Sequence, residues 1–382
     1  MHHTGEKAPR KILIVGAGFS GAVVAHELST SIFPAPEILV FDQRSHIAGN
    51  CHTLRDSSTG VMVHEYGPHI FHTDDLETWK YVNSFVPFRP FVNRVKGVHN
   101  GTVYSLPVNL HTINQLFGKQ LGPTEAREFI SSQADKKIGE PANFEEQALK
   151  FLGDRIYKAF FYGYTRKQWG CEPKELPASI LKRLPVRFNY DDNYYSDPYQ
   201  GIPEAGYSEI VKKMLDHPNI RIELNRKFVP DKDQDGFDHV FFTGPIDEYF
   251  GFKHGRLGYR TVTFERHEGT GDFQGNAVLN YCDPDIPWTR IHEHKHFAPW
   301  ENHEKTVWFK EFSKETSEKD IPYYPKRLTE DLEIFAKYEK DASQLSKVTF
   351  LGRLATYRYM DMHHVIKEAR ETAGKFLDSV RR

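Results

Sequence analysis

Three glycines and an acid open the chemistry of this chain. Gly16, Gly18 and Gly21 fill a GxGxxG pattern, and Asp42 stands 21 positions after Gly21. In that spacing the first glycine permits a tight turn and the second lets backbone approach a pyrophosphate. The third lets helix and strand pack closely, and the acid can accept hydrogen bonds from ribose hydroxyls. A helix that starts at this loop aims its N-terminus at the phosphates. A second constellation is His292, His294 and His296. They alternate, so a strand would put all three imidazoles on one face, an arrangement that suits a metal. The intervening Glu293 would point the other way, and no cysteine or further carboxylate stands at ligand spacing, so no metal is expected. The three cysteines, Cys51, Cys171 and Cys282, are far apart and odd in number, which gives no CxxC pattern and fits a reducing compartment.

The elements that must position these residues can be read from the apolar pattern. Lys11-Ile12-Leu13-Ile14-Val15 is a short β-branched run before the glycines, and Ala22 to Leu28 reads as a helix. Glu37-Ile38-Leu39-Val40-Phe41 is a second strand that ends at Asp42. Strand, glycine turn, helix, strand and acid open a doubly wound dinucleotide fold. From about 110 to 180 the texture turns helical, with Ala126 to Ile138 and Phe144 to Tyr162 as helix patterns. Strand patterns dominate from about 258 to 312, for example Val262-Thr263-Phe264 and Val307-Trp308-Phe309. Val348 to Leu351 is a late strand running into Gly352-Arg353, and a helix follows from about Met362 to Val380. That return predicts a discontinuous nucleotide domain. The fold class is α/β: a discontinuous Rossmann-like dinucleotide-binding domain (10–90, 204–250 and 345–382), a helical insertion (100–185) and an antiparallel β-sheet domain (186–203 with 251–344).

Composition narrows the partners. The chain has 382 residues and a formal net charge of −2, with no long basic run, so nucleic acid or an anionic membrane is not an expected partner. Its start is polar, and no stretch approaches the roughly 20 apolar residues of a membrane span. The chain reads as soluble and cytoplasmic. Aromatic residues reach 14%, which suits both flat ring-shaped ligands and large aromatic cores.

FAD is favoured over NAD by resemblance to flavoproteins of the glutathione-reductase type. There an acid, a basic residue and a glycine-rich stretch follow the second strand, as do Asp42, Arg44 and Gly49-Asn50 here. A late glycine before a final helix, here Gly352, is also typical of them.

Several stretches resemble bacterial UDP-galactopyranose mutases closely. They include Tyr66-Gly67-Pro68-His69-Ile70-Phe71-His72-Thr73, Gly163-Tyr164-Thr165-Arg166-Lys167-Gln168-Trp169-Gly170 and Lys182-Arg183-Leu184-Pro185. Thr289-Arg290-Ile291-His292-Glu293-His294, Pro322-Tyr323-Tyr324-Pro325 and Gly352-Arg353-Leu354-Ala355 with Asp361-Met362-His363 follow in the family's order. The likeness runs from about Arg10 to Ala373. It implies a ring contraction with no net redox change, through a covalent adduct of the sugar with N5 of reduced FAD. UDP-galactopyranose and UDP-galactofuranose are the implied substrates, and a homodimer the implied assembly.

The resemblance also implies roles. Arg183 and Arg290 would grip the diphosphate in paired hydrogen bonds, with hydroxyls from Tyr194, Tyr324 and Tyr359. Phe160, Tyr164, Thr165 and Trp169 would hold uridine, Asn93 and Asn280 would stand near the substrate, and His72 near flavin and sugar. Flavin contacts would come from Gly16, Gly18, Ser20, Gly21, Asp42, Gln43, Arg44, Gly49, Asn50, His69, Ile70, Gly352, Arg353, Asp361 and Met362. Residues 166–183 would form a closing loop. Three positions depart from the family pattern: Ala48 and Leu351 stand where a glycine is usual, and Cys171 where an arginine often follows Trp-Gly. Three other readings stay open: an amine-oxidase type of flavin oxidoreductase, a non-catalytic flavoprotein that binds nucleotide sugars, and a mutase acting on UDP-N-acetylgalactosamine.

Overall fold

The computed structural model describes residues 11–31, 34–178, 181 and 186–381. In the strand Lys11–Val15 the residues Ile12, Leu13 and Ile14 are fully buried, as expected for a strand covered on both faces of a parallel sheet. It lies at the centre of a five-stranded sheet. Spatial order is Ile220–Glu223, Glu37–Phe41, Lys11–Val15, His239–Phe242 and Val348–Phe350, every neighbour parallel. The chain therefore does return to its first sheet at the late strand. The glycine-loop helix Phe19–Ser31 packs on the last helix, Met362–Arg381, and on Tyr207–Leu215.

The second sheet has seven strands: Tyr324–Pro325, Tyr259–Thr270, Lys305–Glu315, Arg290–Glu293, Val278–Tyr281, Lys96–His99 and Thr102–Ser105. Its pairings are antiparallel except one, Val278–Tyr281 beside Lys96–His99, which is parallel. Lys96–His99 and Thr102–Ser105 thus extend this sheet, although the latter falls inside the stretch expected to be helical. Tyr199–Pro203, expected with the substrate sheet, instead pairs with Phe71–Thr73 and Phe88–Pro90 in a sheet of three strands.

The helical portion is built from Leu110–Phe117, Pro123–Gln133 and Phe144–Ile156. Asn109 and Asn143 cap two of them by accepting the N–H groups of Thr112 and Glu146. Two helix boundaries differ from the sequence pattern. The helix expected to reach Ile138 stops at Gln133, because Asp135 accepts the N–H of Lys137 and makes a local turn that competes with helix. The run expected as one helix to Tyr162 is bent by Gly153, at φ 77°, and passes into a π-helix, Tyr157–Tyr162. The next helix, Gly163–Trp169, ends at Gly170 in the left-handed conformation. No described helix is long and apolar enough to cross a membrane.

Candidate active site

Two of the three loop glycines, Gly16 and Gly21, leave no room for a side chain. Gly16 has φ +106°, and a Cβ there would lie 2.0 Å from Thr243 Oγ1. A Cβ on Gly21 would sit 1.9 Å from the Gly16 carbonyl oxygen, so helix and strand touch at this point. Gly18 faces Gly49 across the loop, where a Cβ would lie 3.9 Å from the Gly49 Cα. Asp42 is buried, and its oxygens accept the N–H groups of Ala17 (2.8 Å) and Arg44 (2.9 Å). The carboxylate expected to meet ribose first of all holds the loop, and each oxygen keeps a further lone pair.

Arg44 donates Nη2 to Asn50 Oδ1 at 2.7 Å and lies 4.6 Å above the Tyr66 ring, while its buried Nη1 has no partner. The start of a short helix, Gly352–Ala355, meets the glycine-loop helix: a Cβ on Gly352, at φ +82°, would be 2.4 Å from Ser20 Oγ. Gln43 is exposed, Ile70 is buried, Asp361 directly precedes the last helix and Met362 begins it. Narrow backbone, two converging helix starts and an unpartnered buried guanidinium N–H fit the diphosphate and rings of FAD.

The substrate side grows from register. Asn280 pairs with Arg290, and Arg290 pairs with Glu311, so the three side chains share one face of the large sheet. Glu311 is 2% exposed and accepts Arg290 Nε at 2.9 Å and Thr289 Oγ1 at 3.1 Å, with His292 Nε2 3.3 Å away. Burial would raise the Glu311 carboxyl; Arg290 and His292 more than offset that and hold it down to about 2. Burial likewise opposes the Arg290 charge, and Glu311 together with the phenols around it more than restores it. Arg290 is thus a permanent cation, anchored through Nε, with the phenols of Tyr164, Tyr194 and Tyr324 as electrostatic neighbours. Burial raises all three phenols above their usual value, and Arg290 is the strongest opposing influence on each. Tyr359 stacks on Tyr324 at 5.9 Å, and Arg353 lies 5.7 Å over the Tyr324 ring, which joins this cluster to Arg353, expected from the sequence beside the flavin.

Asn93 and Asn280 each carry a buried side-chain oxygen without a partner. His72, on Phe71–Thr73, makes a short hydrogen bond through Nδ1 to Asp197 and stacks on Tyr195 at 3.8 Å. Tyr164, Thr165 and Trp169 share the helix Gly163–Trp169, whereas Phe160 is buried behind it against Tyr104 and His99. Arg183 lies outside the described residues, as does part of the expected closing loop. The histidine trio does not share a strand face. The strand ends at Glu293, and His294–Phe297 is a 3-10 turn. Glu293 accepts the N–H groups of Phe273 and Gln274 and the Thr306 hydroxyl, a structural anchor.

Glu311, Asp197 and Tyr195 were not among the residues picked from sequence. Only pairing register brings Glu311 beside Arg290. A polar tract, Asp191 to Asp197, offered no signal that would single out Asp197.

Comparison with known proteins accords with this geometry. A family profile described as UDP-galactopyranose mutase matches residues 159–359, and one described as an NAD(P)-binding Rossmann-like domain matches residues 14–85. A probable UDP-galactopyranose mutase of Klebsiella pneumoniae is 54% identical over 371 residues, covering 97% of this chain and 96% of that one. A dTDP-fucopyranose mutase of Escherichia coli is 51% identical over 373 residues, covering 96% and 98%. A crystal structure of reduced UDP-galactopyranose mutase shares the fold, with TM-score 0.78, 14% identity and coverage of 99% and 95%. The chain belongs to the UDP-galactopyranose mutase family.

Proposed function

We propose that this protein interconverts UDP-galactopyranose and UDP-galactofuranose on reduced FAD, with no net redox change. The observation that carries the reading is Arg290, fixed from behind by buried Glu311 and faced by three tyrosines. Bound and reduced, FAD supplies the electron pair needed at the anomeric carbon of galactose. The residues of this chain hold the sugar against it and stabilise what leaves.

Arg290, with Arg183 as second grip, neutralises the negative charge that grows on the departing UDP. Tyr194, Tyr324 and Tyr359 are neutral phenols at working pH, and burial holds the first two still further from ionising. They donate O–H to phosphate oxygens without adding charge. Uridine lies on Tyr164, Thr165 and Trp169, with Phe160 backing that slot. The unpartnered oxygens of Asn93 and Asn280 accept sugar hydroxyls, which explains why they are left unpaired. Asp197 orients His72 beside the flavin and sugar. The division into FAD-binding, helical and substrate portions is supported by the separate five- and seven-stranded sheets. A cytoplasmic homodimer belongs to the same reading, supported by three unpaired cysteines for the compartment.

The 51% identity to a dTDP-fucopyranose mutase favours a second reading, in which the sugar lacks its 6-hydroxyl and the base is thymine. One assay separates the two. Dithionite-reduced protein is incubated with UDP-galactofuranose, and in parallel with dTDP-fucofuranose, and products are resolved by chromatography. Conversion of the first at much the higher kcat/KM supports the proposal. Preference for the second transfers it to the deoxysugar, and conversion of neither defeats both.

A further inference from the structure

The helix Gly163–Trp169 is fastened at two places. At its start, a Cβ on Gly163 would lie 2.3 Å from the Cys282 carbonyl oxygen and 2.7 Å from Pro284 N, so only glycine admits this approach. One helical turn later Lys167 meets the same loop. Its ammonium donates to three carbonyl oxygens, those of Tyr281 (2.7 Å), Asp283 (2.9 Å) and Trp288 (3.0 Å). An ammonium has three N–H donors, and all three are used. At the end of the helix, Arg260 is 4% exposed and donates to the carbonyls of Gln168 and Lys167, and Ser313 donates to Gln168 at 2.7 Å.

The loop that Lys167 grips is the one between Asn280 and Arg290. Its ends enter neighbouring strands of the large sheet, Val278–Tyr281 and Arg290–Glu293. The helix carries Tyr164 and Thr165, and the loop leads into Arg290. One ammonium therefore ties the element that holds the base to the element that holds the phosphate cation. With all three donors given to backbone carbonyls, it keeps none for a ligand.

We infer that Lys167 is a positioning residue that sets the distance between the uridine slot and Arg290, so that base and diphosphate are gripped together. This rests on the reading of Arg290 as the diphosphate site. A tripod of three short bonds fixes a loop more tightly than apolar packing alone, since each carbonyl accepts along its own direction. Without the tripod the slot keeps its aromatic residues and Arg290 keeps Glu311, but the loop that leads into Arg290 is held to the helix by the Gly163 contact alone. A misplacement of about 1 Å is enough to weaken a grip of this kind.

The test compares UDP with UMP, which share the base but differ by the outer phosphate. Both are titrated calorimetrically into the FAD-loaded parent, Lys167→Met and Lys167→Arg. The parent is expected to bind UDP more tightly than UMP. In Lys167→Met, UDP binding should weaken about tenfold, the size of one charge-assisted contact, with UMP held within about twofold. Lys167→Arg keeps a cation but offers a flat fork in place of a tripod, and should fall between. If Lys167→Met does not fold, Lys167→Gln is judged by the same UDP-to-UMP ratio. An unchanged ratio, or equal weakening of both nucleotides, overturns the role of Lys167 and leaves Arg290 untouched. No preference for UDP in the parent overturns the diphosphate site, and this inference with it.

Discussion

Replacing Arg290 by methionine should damage activity and stability together, and the structure says how to separate the two. The side chain donates Nε to Glu311 at 2.9 Å and is 22% exposed, while Glu311 is 2% exposed. Loss of one charge-assisted contact to phosphate removes about 1.5–3 kcal/mol of transition-state stabilisation, so kcat/KM should drop at least about ten- to a hundredfold. The same change strands a buried carboxylate beside Thr289 and His292. Breaking a buried pair in this way costs about 3–5 kcal/mol of folding stability. A melting temperature lower by on the order of 5–10 °C is expected. Adding Glu311→Gln in the same chain removes the stranded charge. The double variant should regain most of the melting temperature and none of the turnover. The assay is conversion of UDP-galactofuranose by reduced protein, beside a thermal melt of each FAD-loaded variant. The reasoning fails if Arg290→Met melts with the parent, or if the double variant recovers activity.

Three further outcomes are expected. Purified protein should be yellow and release FAD on denaturation, whereas Gly16→Val should fold without retaining flavin, because φ +106° and the 2.0 Å approach to Thr243 Oγ1 exclude a side chain; an absorption spectrum decides, and full flavin occupancy in that variant would refute the cradle. Arg183→Ala should stay yellow and lose nearly all turnover, and near-normal activity would remove Arg183 from the phosphate grip. Burial holds His64 down to about 3 and His69 and His239 down to about 4, so the unfolded chain binds their protons first. Stability is then full above pH 6.5 and is lost as pH falls from 6.5 toward 4, with a slope of up to about 4 kcal/mol per pH unit from three protons. Urea midpoints at pH 7.5, 6 and 5 that do not move would contradict this.

Much of the nucleotide half was legible because local rules dictate it. Ile12 to Val15 is apolar and short and runs straight into GxGxxG, which marks a strand covered on both faces, and Gly16 and Gly21 were readable because their roles are steric. The helix ends were harder. Asp135 stops one helix through a side-chain turn, and Gly153 bends another, and neither is distinguishable by apolar periodicity from a continuing helix. The strand Thr102–Ser105 was lost among helical neighbours, since four residues carry too little alternation. In the substrate half, Arg290 and the tyrosines could be picked by resemblance, but what holds them could not. Glu311 reaches Arg290 through strand register, Asp197 reaches His72 through a separate three-stranded sheet, and Lys167 reaches its three carbonyls across more than a hundred residues. The histidine alternation misled because a strand was assumed to continue past Glu293, where the backbone tightens into a 3-10 turn.

On the proposed function, this chain exchanges two ring forms of a UDP-sugar only when its flavin is reduced, and it spends no electrons in doing so. The most direct measurement is product formed from UDP-galactofuranose under anaerobic conditions by one protein sample, first oxidised and then reduced with a limiting amount of dithionite. No UDP-galactopyranose is expected from the oxidised sample, and many turnovers per flavin from the reduced one with no further reductant. Full activity with oxidised FAD, or one reductant consumed per product, would contradict it.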